Sequence, residues 1–468
     1  MGARPMTACG NLEPGGLRRL SLVDAAFINL ERRETPMHVA GLMIYELPPD
    51  AAPDFIKNLV RRFRSPVKLG APWNQVLAKA PLSRLAPAMT AVSQIDFDYH
   101  VRHSALPAPG GERELGELIS NLHGVWLDRS RPLWTCHIVE GLEHGRFAIY
   151  LKIHHALADG VRCMRFVEAC HAMTPDQAIR APWDGTPTTK RKPCAPADPA
   201  MTPRLGLGDV AAAVRHTATS MRWSRDHDPE LIRPFSAPRS KLNGYVTNAR
   251  RVATQQLEID RLKRIAKHAG VSSNDVYLSV IGAALRAHLS AQDGLPDRSL
   301  IAAVPFSLRQ LGDDANGNQV AFSWATLATD IDEPAVRLNR VHASTFAAKR
   351  HIEAMPAPLR PLLTAALAAP ATLAGAAGLT QWLPPPMNLV VSNVPGPAST
   401  LYLGGARLEA LYPVSIPMQG QVLNITGVSY GRHLNVGFTG SRDALPHLQR
   451  LALLSRTALD ELERAYEN

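Results

Sequence analysis

A regular alternation of side chains over residues 146–155 constrains the fold of this 468-residue chain more than any other feature. Every second residue of the stretch is apolar, and the apolar set is Phe147, Ile149, Leu151 and Ile153. A period of two indicates a β-strand with one face toward a core. Residues 133–139 form a second strand-like run, and the segment between Gly141 and Gly145 predicts a turn. The sequence therefore predicts a β-hairpin here.

Helices and strands are mixed along both halves of the chain. Apolar spacing of helical period predicts helices over residues 54–64, 113–121, 161–172 and 257–269. Gly270 ends the last of these, and a further helix begins near Asn274 and Asp275, where a carboxylate favours a helix N-terminus. Apolar runs at residues 388–392 and 422–430 predict buried strands. The predicted fold class is therefore α/β, without a short-period repeat.

Proline-rich segments divide the chain. Residues 181–199 are rich in Pro and Thr, and because proline blocks helices and removes backbone donors, this segment is predicted to be a linker. A second irregular stretch lies at residues 233–240. We therefore predict an N-terminal domain over residues 1–180, a linker or crossover over residues 181–244, and a C-terminal domain over residues 245–468.

Composition excludes several classes of protein. A hydrophobic share of 46% and a charged share of 20% are typical of a globular protein, and they exclude collagen-like and wholly disordered chains. The five cysteines include no Cys-x-x-Cys pair, so neither a disulfide framework nor a cysteine zinc site is predicted. The odd, scattered cysteines favour a reducing compartment, and no apolar signal segment is seen at the N-terminus, so we expect a cytoplasmic protein. The net charge of +10 favours polyanionic partners, but no nucleic-acid-binding motif accompanies it.

Residues 361–406 contain no Asp, Glu, Lys or Arg. The prolines and the Ala/Gly-rich run within this stretch make a poor membrane-spanning helix. A buried helix followed by an apolar strand, or the wall of a lipid-lined pocket, is the favoured interpretation. A helix lying in the membrane interface is the alternative.

Two histidines, His154 and His155, end the predicted strand, and Asp159 and Gly160 follow before the next helix. Adjacent residues of an extended chain point to opposite faces, so the two histidines are not expected to share a metal ion, and no metal site is predicted. His155 continues the apolar side of the strand, where a buried neutral imidazole suits a general base. Asp159 can fix the turn, and Gly160 permits a close approach. The alternative is a pair of core histidines without a chemical role.

Four short motifs in fixed order carry a resemblance to a known family. They are His154-His155-x-x-x-Asp159-Gly160, Pro132-Leu133-Trp134, Asn274-Asp275, and Asn393-Val394-Pro395-Gly396-Pro397. The first matches the HHxxxDG motif of coenzyme A-dependent acyltransferases and of nonribosomal-peptide condensation domains. The others match the PLW, ND and NVPGP motifs of the bacterial wax ester synthase/diacylglycerol acyltransferase family, which the chain resembles over almost its whole length.

The resemblance implies two chloramphenicol-acetyltransferase-like α/β domains with mixed sheets and a tunnel between them. Acyl-CoA would enter as a substrate from one side and the alcohol from the other, and no further cofactor is implied. His155 would accept the hydroxyl proton as the oxygen attacks the thioester, and then protonate the departing thiolate. The resemblance also implies transfer without a covalent acyl-enzyme.

The resemblance also suggests roles for the catalytic motif's neighbours. Asp159 is expected to hold the loop through an ion pair, and His154 to support the loop or line an entrance. Asn274 has two open interpretations: it orients substrate or His155 or donates to the oxyanion, or it is an ordinary helix N-cap. Asp275 is expected to be structural.

Two further motifs are expected to supply shape rather than chemistry. Trp134, with Pro132 and Leu133, is interpreted as a packing anchor or pocket wall. The turn that contains Asn393, Pro395 and Gly396 is interpreted as a rigid element beside the tunnel.

The predicted reaction is esterification of a long-chain fatty alcohol or of diacylglycerol, with wax ester favoured because the chain looks closer to proteobacterial wax synthases. Insoluble substrates imply peripheral association with the inner membrane or lipid inclusions. Basic clusters at residues 190–192 and 250–251 are candidate sites for the phosphates of coenzyme A or lipid headgroups, or simply solvated surface charge. Alternatives are an amide-forming condensation enzyme and an inactive lipid-inclusion scaffold. Oligomeric state is not predicted.

Overall fold

The computed structural model describes residues 16–66, 69–79, 86–184, 229–233, 235–307, 320–354, 380 and 382–467. The helices in this part of the chain are α1 (Leu22–Leu30), α2 (Phe55–Arg64), α3 (Phe97–His100), α4 (Glu112–Gly124), α5 (Gly160–Cys170), α6 (Ile259–Ala269), α7 (Ser273–Ser290), α8 (Pro334–Glu353) and α9 (Leu448–Glu467). The strands are β1 (Leu17–Arg19), β2 (His38–Glu46), β3 (Gln75–Leu77), β4 (Ala88–Ala91), β5 (Val101–Ala105), β6 (Trp134–Leu142), β7 (Arg146–His154), β8 (Arg250–Glu258), β9 (Ile301–Ser307), β10 (Val320–Thr326), β11 (Leu389–Val394), β12 (Tyr402–Leu403), β13 (Ala406–Val414), β14 (Leu423–Tyr430) and β15 (His433–Ser441).

The first six-stranded sheet is built around the predicted hairpin. Its strand order is β12-β13-β2-β7-β6-β5, and β7 is antiparallel to both β6 and β2, which confirms the hairpin. Phe147 and Ile149 pack into one core, whereas Ala148 and Tyr150 pack into another on the opposite face. Strand β7 is therefore buried on both faces, and it delivers the two histidines to the interior.

The second six-stranded sheet has the order β10-β9-β11-β14-β15-β8. Strand β11 runs parallel to both β9 and β14, and the other neighbouring pairs are antiparallel. In the first sheet, β5 runs parallel to β6. Both large sheets are thus mixed, as predicted, and β11 and β14 confirm the two predicted buried strands. Strands β1, β4 and β3 form a small third sheet.

Strands β12 and β13 leave the second half of the chain and join the first sheet. They follow β11 and precede β14, both of which lie in the second sheet, yet β13 pairs antiparallel with β2. Leu411 lies opposite Met43 in this pairing. The predicted division at residues 180 and 244 stays a prediction, but it does not foresee this return, because strand patterning does not reveal which sheet a strand joins.

Most predicted helices are confirmed as α2, α4, α5 and α7, although α4 extends to Gly124 and α5 ends at Cys170. The predicted start of α6 is wrong. Helix α6 begins at Ile259, because Leu257 and Glu258 still pair with Leu434 and His433 in the second sheet. Gly270 ends this helix in the left-handed conformation, with φ 67°, as its position predicts.

Part of the charge-free stretch of residues 361–406 lies outside the described residues, including the predicted helix, and so do residues 190–192. The apolar strand expected there is β11. No helix in the described part of the chain is both long enough and apolar enough to cross a membrane.

The two sheets lie so close together at Gly437 that no side chain fits there. A methyl group there would overlap the carbonyl oxygen of Pro413 in β13, whereas a methyl group at Gly41, which pairs with Pro413 from the other side, would meet only a leucine side chain at 3.6 Å. Gly437→Ala should therefore lower the free energy of unfolding by about 3 kcal/mol, and Gly41→Ala by less than about 1 kcal/mol. Urea unfolding measures both; equal effects of the two variants would contradict this packing.

Candidate active site

His155 follows the last residue of β7 and is held by two neighbours. Its backbone N–H donates to the carbonyl oxygen of Met37 at 2.9 Å. The ring of Phe27, from α1, stacks on the imidazole with centroids 4.2 Å apart and planes inclined by 24°. The residue is half-buried, and its Nδ1 atom is buried without a hydrogen-bond partner among the described residues.

Burial determines the charge of His155. Loss of solvent lowers the pKa of this imidazole to about 4, and the negative charge of Asp159 opposes the shift without cancelling it. The ring is therefore neutral at pH 7. A neutral imidazole can accept a proton, as general-base catalysis requires.

His154 is fully buried and occupies the other side of the strand end. Its backbone N–H donates to the carbonyl oxygen of Leu133 at 2.9 Å, and its Nδ1 accepts a hydrogen bond from the backbone N–H of Ala156 at 3.1 Å. Its Nε2 lies 3.5 Å from a carboxylate oxygen of Glu31. His154 therefore holds the turn through its hydrogen bond to Ala156, whereas the ring of His155 packs against Phe27.

Glu31 is the buried carboxylate on which this arrangement depends, and sequence reasoning missed it. One oxygen accepts the backbone N–H of Met37 at 3.0 Å, and the other accepts the indole N–H of Trp126 at 2.8 Å and two N–H groups of Arg129 at 2.9 and 3.0 Å. Met37 in turn accepts the backbone N–H of His155. Glu31 thus fixes the segment that positions the candidate base.

The charge of Glu31 is set by two opposing effects. Burial raises its pKa, but hydrogen bonding and charge from His154, together with the donors Met37 and Arg129, bring the pKa below its ordinary value. The carboxylate is therefore ionised at neutral pH. Its side-chain partners Trp126 and Arg129 lie 95 and 98 residues further along the chain, so sequence spacing holds no signal for them.

Asp159 caps helix α5. Its carboxylate accepts the backbone N–H of Arg162 at 2.7 Å, and its carbonyl oxygen accepts that of Cys163 at 2.9 Å. The charges of Arg18 and Asp24 also act on the guanidinium of Arg162. Asp159 therefore fixes the junction between loop and helix by an N-cap hydrogen bond, and the expected ion pair stays a prediction.

Gly160 brings the catalytic loop against the second half of the molecule. A Cβ atom at this position would lie 3.2 Å from a methyl group of Val394, at the end of β11. The turn that follows Val394 is itself held in place, since the N–H of Gly396 donates to Ser429 Oγ at 2.9 Å. The structure thus joins two predicted motifs that are far apart in sequence.

Asn393 and Pro395, the two other predicted site residues of this motif, are exposed. A side chain at Gly396 would overlap the carbonyl oxygen of Ser429, and the carbonyl oxygen of Pro397 accepts the N–H of Gly431 at 3.1 Å. The turn therefore acts through its backbone shape.

Trp134 is buried among aromatic rings. It stacks on Trp183 at 4.6 Å and on His100 at 4.4 Å, and its indole N–H donates to the carbonyl oxygen of Trp73 at 2.8 Å. Pro132 and Leu133 are also buried. Because the carbonyl oxygen of Leu133 accepts the backbone N–H of His154, this buried motif fixes the end of the strand that carries the site.

Asp275 links two helices. It forms a capping box with Ser272, and its carboxylate also contacts His342 Nδ1 at 2.9 Å and Thr345 Oγ1 at 2.5 Å in α8. The N-cap of α7 is Ser272, so the N-cap interpretation of Asn274 is wrong. Asn274 is half-buried in the first turn, and its proposed role toward substrate stays a prediction.

The structure does not favour the basic pair at residues 250–251 as a phosphate site. Arg250 is buried, and its guanidinium donates to the carbonyl oxygens of Thr247 and Glu34, the latter at 2.8 Å. It therefore joins the two halves of the molecule. Among the described residues, no group of three His, Cys, Asp or Glu side chains is arranged to hold a metal ion.

Comparison with known families accounts for nearly the whole chain. Residues 20–277 match the model of the wax ester synthase/diacylglycerol acyltransferase catalytic domain, and residues 316–463 match that of the WS/DGAT C-terminal domain. The chain belongs to this family. It is therefore an O-acyltransferase, and the predicted fold class is confirmed.

Three relatives show the extent of the similarity. A probable diacylglycerol O-acyltransferase of Mycobacterium tuberculosis is 41% identical over 450 residues, covering 94% of this chain and 98% of the relative. The O-acyltransferase WSD of Acinetobacter baylyi is 37% identical over 453 residues, covering 93% and 94%. The solved wax ester synthase/diacylglycerol acyltransferase of Marinobacter aquaeolei VT8 is 32% identical, covers 96% of this chain and 100% of its own, and has a TM-score of 0.74.

These identities correct one expectation. The sequence was expected to lie closer to proteobacterial wax synthases, but the mycobacterial relative is more similar than either proteobacterial one. The four motifs identify the family; they do not distinguish its branches.

Glu31 provides a test of the site's construction. Glu31→Gln should lower the free energy of unfolding by about 3 kcal/mol, because it leaves Arg129 and the donors around it without a buried anion. The matched control is Glu46→Gln, which removes an exposed ion pair with Arg407 and should cost less than about 1 kcal/mol. Urea unfolding at pH 7 measures both.

The same pair of variants has a pH signature. A carboxyl whose pKa is lower in the folded than in the unfolded protein stabilises the fold above its unfolded pKa, about 4.3, and this contribution is lost as the pH falls through the folded pKa. The deficit of Glu31→Gln should therefore be largest above about pH 5 and shrink in acid. A deficit that is constant with pH would contradict an ionised Glu31.

Proposed function

We propose that this O-acyltransferase moves a long-chain acyl group from acyl-CoA to the hydroxyl group of a long-chain alcohol or of diacylglycerol, with His155 as the general base. The observation that carries the proposal is the neutral, half-buried imidazole of His155, held by Met37 and Phe27 at the junction of the two sheets. The names of the family and of its relatives support the substrate classes.

The proposed step is a direct transfer. The acceptor's O–H proton passes to the ring of His155 while its oxygen bonds to the thioester carbonyl carbon. The carbon–sulfur bond then breaks, and the proton passes from His155 to the departing sulfur, giving an ester and free coenzyme A. No oxidant or further reactant is needed.

A covalent cysteine intermediate finds no support at the site. Cys163 is the thiol closest in sequence to the catalytic loop, and burial raises its pKa to about 12. It therefore stays protonated, and a thiol is a far weaker nucleophile than a thiolate. Transfer within a ternary complex of enzyme, acyl-CoA and acceptor agrees with this chemistry.

The neighbouring residues contribute positioning. Glu31, through Met37, and the N-cap at Asp159 fix the two ends of the loop that carries His155. The stack with Phe27 fixes the plane of the ring. Holding the base at one angle to the reacting groups reduces the entropic cost of the reaction.

We also propose a cytoplasmic protein that associates peripherally with the inner membrane or with lipid inclusions, because both proposed acceptors are insoluble in water. Acyl-CoA and the acceptor are the proposed partners, without nucleic acid. Residues that bind the coenzyme A phosphates, and the tunnel itself, stay predictions.

The proposed base is tested by free-thiol release from palmitoyl-CoA in the presence of an acceptor. His155→Ala should lower the rate by about 10²–10⁴-fold, the usual contribution of a positioned acid–base group. The control is His268→Ala, which removes an exposed histidine near the end of α6 and should leave the rate unchanged. Near wild-type turnover by folded His155→Ala protein would overturn the mechanism.

The pH dependence sharpens this test. Because the pKa of His155 lies near 4, the base stays neutral throughout the range from pH 8 to pH 6. The rate should therefore be level over that range, whereas a base with the ordinary pKa of about 6.5 would lose more than half of its activity. A decline centred near pH 6.5 would exclude His155 as a buried base.

The acceptor is identified by running hexadecanol, dipalmitoylglycerol and no acceptor in parallel, with lipid products resolved from the same reactions. The greater similarity to the mycobacterial relative, which is named for diacylglycerol, leads us to expect triacylglycerol as a product alongside wax ester. Thiol release with amine acceptors alone would favour the condensation reaction. Lipid binding without turnover would favour the scaffold.

A further inference from the structure

Helix α1 is apolar, yet most of it is not buried. Seven of its nine residues are apolar, and only Asp24 and Asn29 are polar. Over Val23–Leu30 only Ile28 is buried, and Val23 retains 46% of its exposure. A helix of this composition normally packs into a core. Its surface is therefore not fully covered by the described residues, and it is available to an apolar partner.

Arginines flank the helix at both ends. Arg19 precedes it, Arg32 and Arg33 follow it, and all three are exposed. Leu17, two residues before Arg19, is 50% exposed. The stretch holds two acidic residues: Glu31 is turned inward to Arg129, and Asp24 is half-buried in the first turn of the helix.

This combination is typical of a helix that lies in a membrane interface. The apolar face enters the boundary between headgroups and acyl chains, and the arginines meet the lipid phosphates. Nine residues of helix span about 14 Å, less than half the thickness of a bilayer's hydrocarbon core. The helix can therefore lie along a membrane but cannot cross it.

The helix also leads to the candidate base. Phe27 lies one turn beyond Val23 and stacks on His155. A surface that contacts lipid at Val23 would place the membrane one helical turn from the reacting histidine. An insoluble acceptor would then reach the site without crossing water.

We propose that α1 and its flanking arginines form a lipid-docking surface, which seats the enzyme on an anionic phospholipid membrane and opens the site toward it. The inference rests on the proposed function for the identity of the substrate. The docking itself can be measured without any reaction.

The first experiment measures binding to sucrose-loaded vesicles of phosphatidylcholine and phosphatidylglycerol, 7:3, by sedimentation in the absence of acyl-CoA. Val23→Glu should weaken binding by about tenfold or more, because a charge replaces an apolar contact with the acyl region. The matched control is Leu453→Glu, at an exposed leucine of α9, which should bind as the wild type does. Melting curves confirm that both variants are folded.

The second experiment separates the electrostatic contribution. Arg19→Gln and Arg33→Gln should each weaken binding to the anionic vesicles by about fivefold, and neither should change binding to pure phosphatidylcholine. Added salt should reduce the difference between the two vesicle types.

Three results would overturn the proposal. They are wild-type binding by Val23→Glu, an equal loss in Leu453→Glu, and a wild-type dimer in sedimentation velocity that Val23→Glu converts to a monomer. The last would assign the helix to a second copy of the chain. Since binding is measured without turnover, failure of the proposed reaction would appear only in thiol release and would leave these results unaffected.

Discussion

The geometry of the catalytic loop depends on one buried carboxylate. Glu31 neutralises Arg129, lies beside His154 and holds the backbone of Met37, which in turn holds the backbone of His155. An ionised carboxylate in this position is tolerated because every neighbour is a donor or a cation. The same donors that make its burial possible transmit its position to the base. Stability and catalytic geometry therefore share one interaction.

A second constraint is the interleaving of the two halves. Strand β13 crosses back to pair with β2, Gly437 packs against its backbone, and Arg250 reaches the carbonyl oxygen of Glu34. Gly160 and Val394 also approach each other closely between the two halves. The candidate base thus lies where both sheets contribute to its surroundings. Motion of one half relative to the other would therefore displace the loop.

Much of the fold was predictable because it depends on local patterns. The period-two alternation located β7 and its hairpin, and Gly270 located the end of α6. The start of α6 was misplaced, since Leu257 suits an amphipathic helix as well as a strand. Of the two interpretations left open for Asn274, the N-cap was wrong, because Ser272 and Asn274 are both capable caps and only backbone geometry distinguishes them.

The sequence by itself determined the family, the identity of His155 as the candidate base, and the strand that carries it, because these depend on residues close together along the chain. Only the tertiary structure decided that Glu31 supports the site, that Val394 meets Gly160, and that α1 is only partly buried beside His155. Each of these depends on contacts between distant segments or on the burial of a whole helix. A single sequence shows neither, because glutamate is the same residue whether its carboxylate is buried or solvated.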